Sequence, residues 1–481
     1  MPDQIPHKVI YEKQSEPLEG EQQRIKFEQT ESSTRHLSNI YIPAGRNQFL
    51  FCENSCLNFT LQGKNIAGNN LPATANNTNN GLYLAPLGAV AAIETVTVLQ
   101  NNKVVSQLDN YNKICAILQV CNNEEAGAGF RGVTAGNCYM GDQNRMSLVP
   151  NSLINQYGSW TINKAPTSPA TAGNVDTPPM SFSIPLMGLL GNACVPLNEL
   201  KDGLQIQIKW TPNIRDVIWT NSSGTKDDPT ASPAVVGTAT KIVSGDLHVS
   251  NVSYEASVRT LDDSSYKAVA DENKFDSQPI EWSDQHFYLT EKQYLSSDLS
   301  VAGRVHTIVP SFRFSSLNNI FNACFSNLSS DGYDLNPPNV PHIAWDKIRY
   351  RIGGIEHPTN MIDNLPKMVQ HTVACCSNCN PASAVNMMSS DFTQKNYRDI
   401  TTIPAAGSSP SKWDRGVCGV GVKSFPDIDT VGGVDTRFVD TEFEAYKTAV
   451  ATTAPLTNVW VAQYDCVYVI ADGVLSFSDG T

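Results

Sequence analysis

Charge is scarce in this sequence, and long apolar runs are missing from it. Only 17% of its 481 residues are Asp, Glu, Lys or Arg, a fraction that is low for a cytosolic enzyme. No run approaches the roughly 18 apolar residues of a membrane-spanning helix. The first eight residues are too polar to begin a secretory signal peptide. We therefore expect a chain that is made and assembled inside a cell.

Clusters of basic residues are also missing. The chain has 34 Lys and Arg against 47 Asp and Glu, for a net charge of −13, and its first 35 residues carry seven acidic and five basic side chains. A protein that binds DNA backbones tightly needs clustered positive charge. The composition therefore argues against direct, strong binding of nucleic acid, and leaves room only for a local basic patch.

The usual signatures of catalysis are absent. The eight histidines are scattered, and there is no His-Glu-x-x-His pair, Gly-x-Ser-x-Gly elbow or phosphate-binding Gly-Lys-Ser/Thr loop. The glycine-rich run 416–421 lacks the ending of a nucleotide loop and predicts a strand with close backbone approach. Five aspartates of the second half are candidate acid/base groups or calcium ligands: Asp346, Asp363, Asp391, Asp427 and Asp429. Without a calcium-loop pattern we expect solvated carboxylates, and hence no catalytic residue, no cofactor and no enzyme.

One short segment has the spacing of a metal site. Cys376 and Cys379 form a Cys-x-x-Cys pair, Cys375 precedes it, and His371 stands four residues before Cys375. Thiolates at this spacing bind zinc in many proteins. No second pair completes the set, so we expect a reduced or locally oxidised loop without metal. Most of the twelve cysteines are expected to be reduced and buried.

What the sequence does contain is a repeat about 250 residues long. Residues 93–105 predict two strands joined by an Asn-Asn turn, and residues 345–355 predict a strand, a Gly-Gly turn and a further strand. A helical pattern follows each hairpin, with Leu108 to Leu118 in the first half and Leu365 to Val369 in the second. This shift of about half the chain indicates two similar β-domains in tandem.

Further patterns fill in the two halves. Leu204–Trp210 alternates like a strand with one buried face. A phase slip between Val249 and Val252 predicts a bulge, and Asp472-Gly473 predicts the turn of a terminal hairpin. The apolar residues of 317–325 recur at helical spacing, so we expect a short amphipathic helix there.

Polar segments divide the chain. Residues 1–35 mix charges without apolar periodicity and predict an arm that is ordered only against a neighbour. Residues 263–280 predict a linker, with one β-sandwich at 36–262 and the other at 281–481. Three long polar loops, natural at one end of a β-sandwich, are expected at 63–81, 161–179 and 213–240.

Taken together, these segments resemble the double jelly-roll major capsid proteins of icosahedral DNA viruses, in particular the Polinton, adintovirus and virophage-like branch. The resemblance rests on five segments in the right order, within about residues 40–480: 184–191, 204–208, 249–254, 348–358 and 472–473. It implies an all-β fold of two tandem jelly-roll β-sandwiches with short helices and long loops.

The resemblance also implies a function. A major capsid protein would form a homotrimer, a pseudo-hexameric capsomer that contacts neighbouring capsomers, penton proteins and minor capsid proteins in the virion. Contact with an internal membrane is left open. Three tryptophans in or beside long loops suit subunit interfaces better than glycan binding, which stays the alternative for them: Trp160, Trp219 and Trp413.

Two other classes of function remain. A tandem β-sandwich that binds carbohydrate or mediates attachment would use the same long loops, but it would ordinarily carry a signal peptide. A glycoside hydrolase would need two carboxylates facing one cleft, which sequence alone does not reveal. Regular capsomers or shells in electron micrographs would favour the capsid protein, and discrete monomers would favour the other two.

Overall fold

The computed structural model describes most of the predicted strands. The described residues are 20–30, 34, 36–64, 82–84, 87–121, 134, 179–212, 217–221, 239–241, 246–273, 275, 278–299, 303–326, 345–376, 417–422, 432–446 and 456–479. The loops predicted at 63–81, 161–179 and 213–240 lie largely outside them.

The first half consists of antiparallel sheets. One sheet has the order β1-β12-β3-β7, with β8 also paired to β3; a second has the order β2-β9-β5-β6; a small third has the order β11-β10-β4. The strands are β1 Gly20–Glu28, β2 Leu37–Ile42, β3 Gln48–Lys64, β4 Leu82–Leu84, β5 Ile93–Gln100, β6 Lys103–Asp109, β7 Met180–Ile184, β8 Cys194–Pro196, β9 Leu204–Trp210, β10 Ile218–Asn221, β11 Ala239–Lys241 and β12 Asp246–Leu261.

The second half repeats the two large sheets. One has the order β13-β20-β15-β18, with β21 also paired to β20, and the other has the order β14-β19-β16-β17. The strands are β13 Ile280–Tyr294, β14 Val305–Ile308, β15 Leu317–Ser326, β16 Lys347–Ile352, β17 Ile355–Ile362, β18 Cys418–Gly421, β19 Thr441–Tyr446, β20 Leu456–Ala471 and β21 Val474–Ser478.

The two halves have the same strand connectivity. In each, eight main strands divide so that the first, eighth, third and sixth form one sheet and the second, seventh, fourth and fifth form the other. Two facing four-stranded sheets connected in this way make a jelly roll. The predicted fold of two tandem jelly rolls is therefore confirmed, and we call the halves the first and second roll.

Helices are short, and two of them recur at matching places in the two rolls. Among the described residues they are α1 Tyr111–Cys121, α2 Leu189–Asn192, α3 Asp263–Asn273, α4 Ser296–Leu299 and α5 Leu365–Cys376, with 3-10 turns at Gly88–Ala92 and Leu197–Glu199. Helices α1 and α5 each follow the fifth strand of their roll, as the repeat predicts. None of the helices is long and apolar enough to cross a membrane.

Backbone conformation explains the predicted turns. Asn101 and Asn102 have φ of 49° and 60°, and Gly353 and Gly354 have φ of 56° and 85°. A two-residue hairpin turn that follows the strand twist needs positive φ at both positions, which Asn and Gly tolerate best. Asn251, with φ of 53°, lies at the bulge where the pairing of β12 with β3 shifts.

An aromatic pair bridges the two sheets of each roll. In the first, the Trp210 and Phe59 ring centroids lie 4.9 Å apart; in the second, those of Trp460 and Phe443 lie 5.3 Å apart. All four side chains are buried. Complete burial of a large apolar side chain stabilises a fold by roughly 1.5–3 kcal/mol, so these pairs anchor the two cores.

The helix predicted at 317–325 is wrong, because this segment is strand β15. Residues 320–325 are all buried, since β15 lies inside its sheet and both of its faces are covered. A strand buried on both sides loses the alternation that marks a half-buried one. Asn322 fits this environment because its amide donates to Asn458 Oδ1 at 2.7 Å.

The predicted arm also needs correction. Residues 20–28 form the outer strand β1, which pairs along its whole length with β12. Only Ile25 and Phe27 pack against the core, so the strand has too few apolar residues to show periodicity. The predicted linker contains helix α3, whose Tyr266 packs on Phe49 with ring centroids 5.7 Å apart.

Deletion of residues 1–28 should destabilise the first roll, whereas deletion of residues 1–19 should not. The longer deletion removes β1 and leaves one edge of β12 open to pairing with other chains. We expect a lower midpoint of thermal unfolding and aggregation, measured by circular dichroism and light scattering. Equal behaviour of the two deletion variants would contradict the role assigned to β1.

Candidate functional site: the interface between the two rolls

The segment with metal-site spacing is only partly described. His371 is half-buried on α5, where burial, and to a lesser extent Lys367, lowers its pKa. The side chain of Cys376 and all of Cys379 lie outside the described residues. No group of three or more potential metal ligands occurs in the part of the chain that is described. The expectation that this segment binds no metal stays a prediction.

Residues 418–421 of the glycine-rich run form strand β18, as predicted. A Cβ atom built on Gly419 would lie 3.1 Å from Phe321 Cδ1 and 3.2 Å from the Cβ and Sγ atoms of Cys375. A larger residue here would crowd Cys375, because α5 packs close to the strand backbone. The run serves packing between helix and sheet.

The other candidate residues are dispersed. Asp363 is exposed and pairs with Lys367 at 2.7 Å, which lowers the pKa of the Asp363 carboxyl. Asp391, Asp427 and Asp429, and the loop tryptophans Trp160 and Trp413, lie outside the described residues, as does the Trp219 side chain. The described residues bring none of these carboxylates together.

The geometry instead draws attention to the interface between the rolls. Gln100, at the end of β5, is 4% exposed. Its amide nitrogen donates to the carbonyl oxygen of Gly473 at 3.0 Å and to that of Asp202 at 3.3 Å. Its amide oxygen accepts from the backbone N–H of Leu475 at 2.6 Å. One side chain of the first roll thus binds two backbone groups in the terminal hairpin of the second.

The turn of that hairpin fits closely against the first roll. The backbone N–H of Lys201 donates to the Gly473 carbonyl at 3.0 Å. Gly473 has φ of 77°, and a Cβ atom there would lie 2.6 Å from Lys201 Cγ. Both the left-handed backbone and the lack of space therefore require glycine.

A buried histidine forms a second contact between the rolls. His286 of β13 lies with Nε2 3.2 Å from Ser106 Oγ of the first roll and Nδ1 3.1 Å from the Tyr464 hydroxyl. Its ring also packs on Phe477 of β21. Burial lowers the pKa of His286 to about 4, so the ring is neutral at pH 7. One ring nitrogen then donates and the other accepts.

Asp284 lies two residues before His286 on the same strand. Its Oδ1 accepts from the Gln285 N–H at 2.8 Å, while its Oδ2 is buried without a hydrogen-bond partner among the described residues. Burial raises the pKa of this carboxyl to about 6. Burial is the main cause that raises the pKa of the Cys52 thiol in the first roll. Cys194 and, from the second roll, Asp284 raise it further.

An ion pair completes the interface at its rim. Lys113 of α1 in the first roll pairs with Glu291 of β13 in the second. Both side chains are partly exposed, and such pairs contribute only about 0–1 kcal/mol. Orientation of the two rolls therefore depends mainly on Gln100, Gly473 and His286. The Asp-Gly pattern predicts the turn at Gly473, but the local sequence does not reveal the contacts of these three residues, because those contacts join distant segments.

No protein-family model matches this sequence, and no curated protein matches it. Solved structures do match. The chain matched in the cryo-EM structure of the Sputnik virophage has 11% identity and a TM-score of 0.54, covering 99% of this chain and 92% of that one. The Faustovirus major capsid protein has 9% identity and a TM-score of 0.53, covering 96% and 92%. The mavirus major capsid protein has 11% identity and a TM-score of 0.51, covering 95% and 90%.

At these identities the likeness concerns the fold. Because it extends over nearly the whole of each chain, it includes both rolls and their arrangement. The chain has the double jelly-roll fold of these viral proteins.

Replacement of Gln100 by alanine should weaken the joint between the rolls. The Gly473 carbonyl and the Leu475 N–H would lose their partner in a buried place, at a cost of about 1–3 kcal/mol. Gln107→Ala is the matched control, since the exposed side chain of this β6 residue donates to the nearby Asp109 carboxylate. We expect chemical denaturation to show a lower midpoint for Gln100→Ala alone. Equal midpoints would show that the Gln100 contacts do not stabilise the interface.

Acidification should act on His286 and Asp284 in opposite directions. Folding lowers the pKa of His286, so its contribution to stability is complete above about pH 6.5 and is lost as the pH falls towards 4. Folding raises the pKa of Asp284, so its cost is present above about pH 6 and is relieved as the pH falls towards 3.8. Each effect amounts to about 3 kcal/mol.

The two effects are separable by substitution. Relative to the native chain, Asp284→Asn should lose more stability between pH 6.5 and 4, and His286→Gln should lose less or gain. Free energies of unfolding measured across this range would check both. Parallel pH profiles for the three proteins would contradict the assigned pKa shifts.

Proposed function

We propose that this chain is the major capsid protein of an icosahedral virus, and that three copies form a pseudo-hexameric capsomer. The observation that carries the proposal is the pair of jelly rolls with identical connectivity, arranged as in viral capsid proteins over nearly the full chain. A tandem carbohydrate-binding protein or an enzyme would not require the two rolls to share one connectivity and a fixed joint.

The interface between the rolls supports this function physically. A shell subunit must present its edges at constant angles, because small errors in angle accumulate around a closed surface. Buried hydrogen bonds from Gln100 and His286 fix the angle between the rolls within each chain. The contact joins different faces of two similar units, which is the kind of contact that closes into rings when repeated.

The partners of the proposed capsomer follow from its place in a shell. Neighbouring capsomers, penton proteins and minor capsid proteins would contact its sides and base within the virion. The net charge of −13 opposes tight binding to the phosphates of a packaged genome. Contact with genome or with an internal membrane would then pass through more basic proteins of the particle.

Native mass and negative-stain electron microscopy test the proposal together. Purified protein should have about three times the 52.4 kDa mass of the chain and should give images with near-sixfold outline. Sedimentation at micromolar concentration measures the first, and two-dimensional class averages measure the second. A stable, well-folded monomer at that concentration would overturn the proposal.

A further inference from the structure

Because the two rolls share one connectivity, each residue that forms the contact between them has a counterpart at the equivalent position of the other roll. In the first roll, the end that meets the second roll includes Gln100 and, in the segment before β9, Lys201. Gln100 and Ile352 each end the fourth strand of their roll, and each pairs with the first residue of the seventh strand. Three residues before that strand stand Lys201 in the first roll and Phe438 in the second.

These counterparts differ sharply in their environment. Lys201 contacts the Gly473 turn in two ways: its backbone N–H donates to the Gly473 carbonyl, and its side chain packs against Gly473. Phe438 is 88% exposed, and Ile355, which follows the Gly353-Gly354 turn, is 66% exposed. We call Ile355 and Phe438, with the turn beside them, the hairpin end of the second roll. This surface is apolar at Phe438, the position at which Lys201 of the first roll contacts the Gly473 turn.

The receiving surface has a counterpart too. His286 pairs with Tyr464, seven residues before the end of β20, and Phe27 pairs with Tyr254, seven residues before the end of β12. Phe27 therefore holds in the first roll the position that His286 holds in the second. His286 is buried by Ser106 of the first roll, whereas Phe27 keeps part of its ring exposed on the outer strand β1.

The corner beside this strand corresponds to the Gly473 turn. That turn follows the last residue of β20, as Asp262 and Asp263 follow the last residue of β12. Next to them lies the start of β3, where the carbonyl of Asn47 accepts from the Leu261 N–H at 3.0 Å and Arg46 pairs with Asp263 at 2.9 Å. We call residues 46–49 and 262–266 the corner of the first roll.

We propose that the hairpin end of the second roll binds β1 and the corner of the first roll in another copy of this chain. In this contact between two copies, Phe438 would have the role that Lys201 has within the chain, and Phe27 would have the role of His286. This inference rests on the proposed function and identifies the surfaces by which the capsomer closes.

Repetition of one kind of contact gives closure. Within a chain, the hairpin end of the first roll packs on the second roll. Between chains, the hairpin end of the second roll packs on the first roll of the next copy. The two kinds of contact then alternate around a ring. A ring of six rolls contains three chains, and it leaves no hairpin end exposed. The apolar Phe438 and Ile355 are explained as surface that is buried once the ring closes.

The first test compares two exposed apolar residues. Phe438→Glu places a charge in the proposed contact, and Leu295→Glu, at the opposite end of the second roll and 63% exposed in the chain, is the control. Sedimentation over a range of concentrations should show the midpoint of trimer dissociation raised at least about tenfold for Phe438→Glu, as expected for the loss of a buried aromatic contact. Leu295→Glu should match the native chain, and all three should have the same circular dichroism spectrum.

The second test locates the partner surface directly. Phe438 is replaced by the photo-reactive residue p-benzoylphenylalanine in trimers containing isotopically light and heavy chains, and cross-linked peptides are identified by mass spectrometry. We expect light-to-heavy links to residues 20–28, 46–49 or 262–266. The same replacement at Leu295 should give no links to these residues.

The outcomes separate this inference from the proposed function. A native chain that stays monomeric overturns both. Two results would overturn the inference alone: a native trimer that Phe438→Glu does not weaken, or cross-links from position 438 to other surfaces. Neither result would contradict the proposed capsomer. Trimer weakening together with links to β1 or the corner supports both.

Discussion

The joint between the two rolls is the constraint on which the rest of the structure depends. The buried apolar residues of the two rolls belong to one continuous cluster, so apolar contact also holds the rolls together. What the joint adds is orientation, through a glutamine that bonds to backbone groups and a histidine held between a serine and a tyrosine. Directional hydrogen bonds in a buried place define an angle better than apolar contact does, since a missing partner there is costly.

The sequence predicts the repeated elements of the two rolls better than it predicts the contacts between the rolls. The Asn-Asn and Gly-Gly turns, the helices after them and the alternating strand Leu204–Trp210 depend on neighbours in sequence, and all were predictable. The pattern of β15 predicts a helix because burial on both faces of the strand removes alternation. The pattern of β1 predicts an arm because an outer strand needs few apolar residues. In both cases tertiary position outweighed local pattern.

The residues of the joint could not be found from sequence for a related reason. Gln100 and Gly473 are 373 positions apart, and the Asp-Gly pattern at 472–473 predicts a turn without indicating what the turn contacts. A single glutamine or histidine in a strand is ordinary, and only the packed structure shows what it faces. Gly419 is intermediate: the glycine-rich run indicated close backbone approach, and the structure identified α5 as the element that approaches.

The late position of the Gly473 turn has a consequence for biogenesis. All of the first roll, and the second up to its last strands, emerge from the ribosome before the residues that dock on Gln100 and Lys201. Each roll can therefore complete its own long-range pairing before their mutual angle is set, and contacts so distant in sequence form slowly. Nascent chains accordingly cannot reach the rigid two-roll form until residues 473–475 have been synthesised, which delays assembly until both rolls are present.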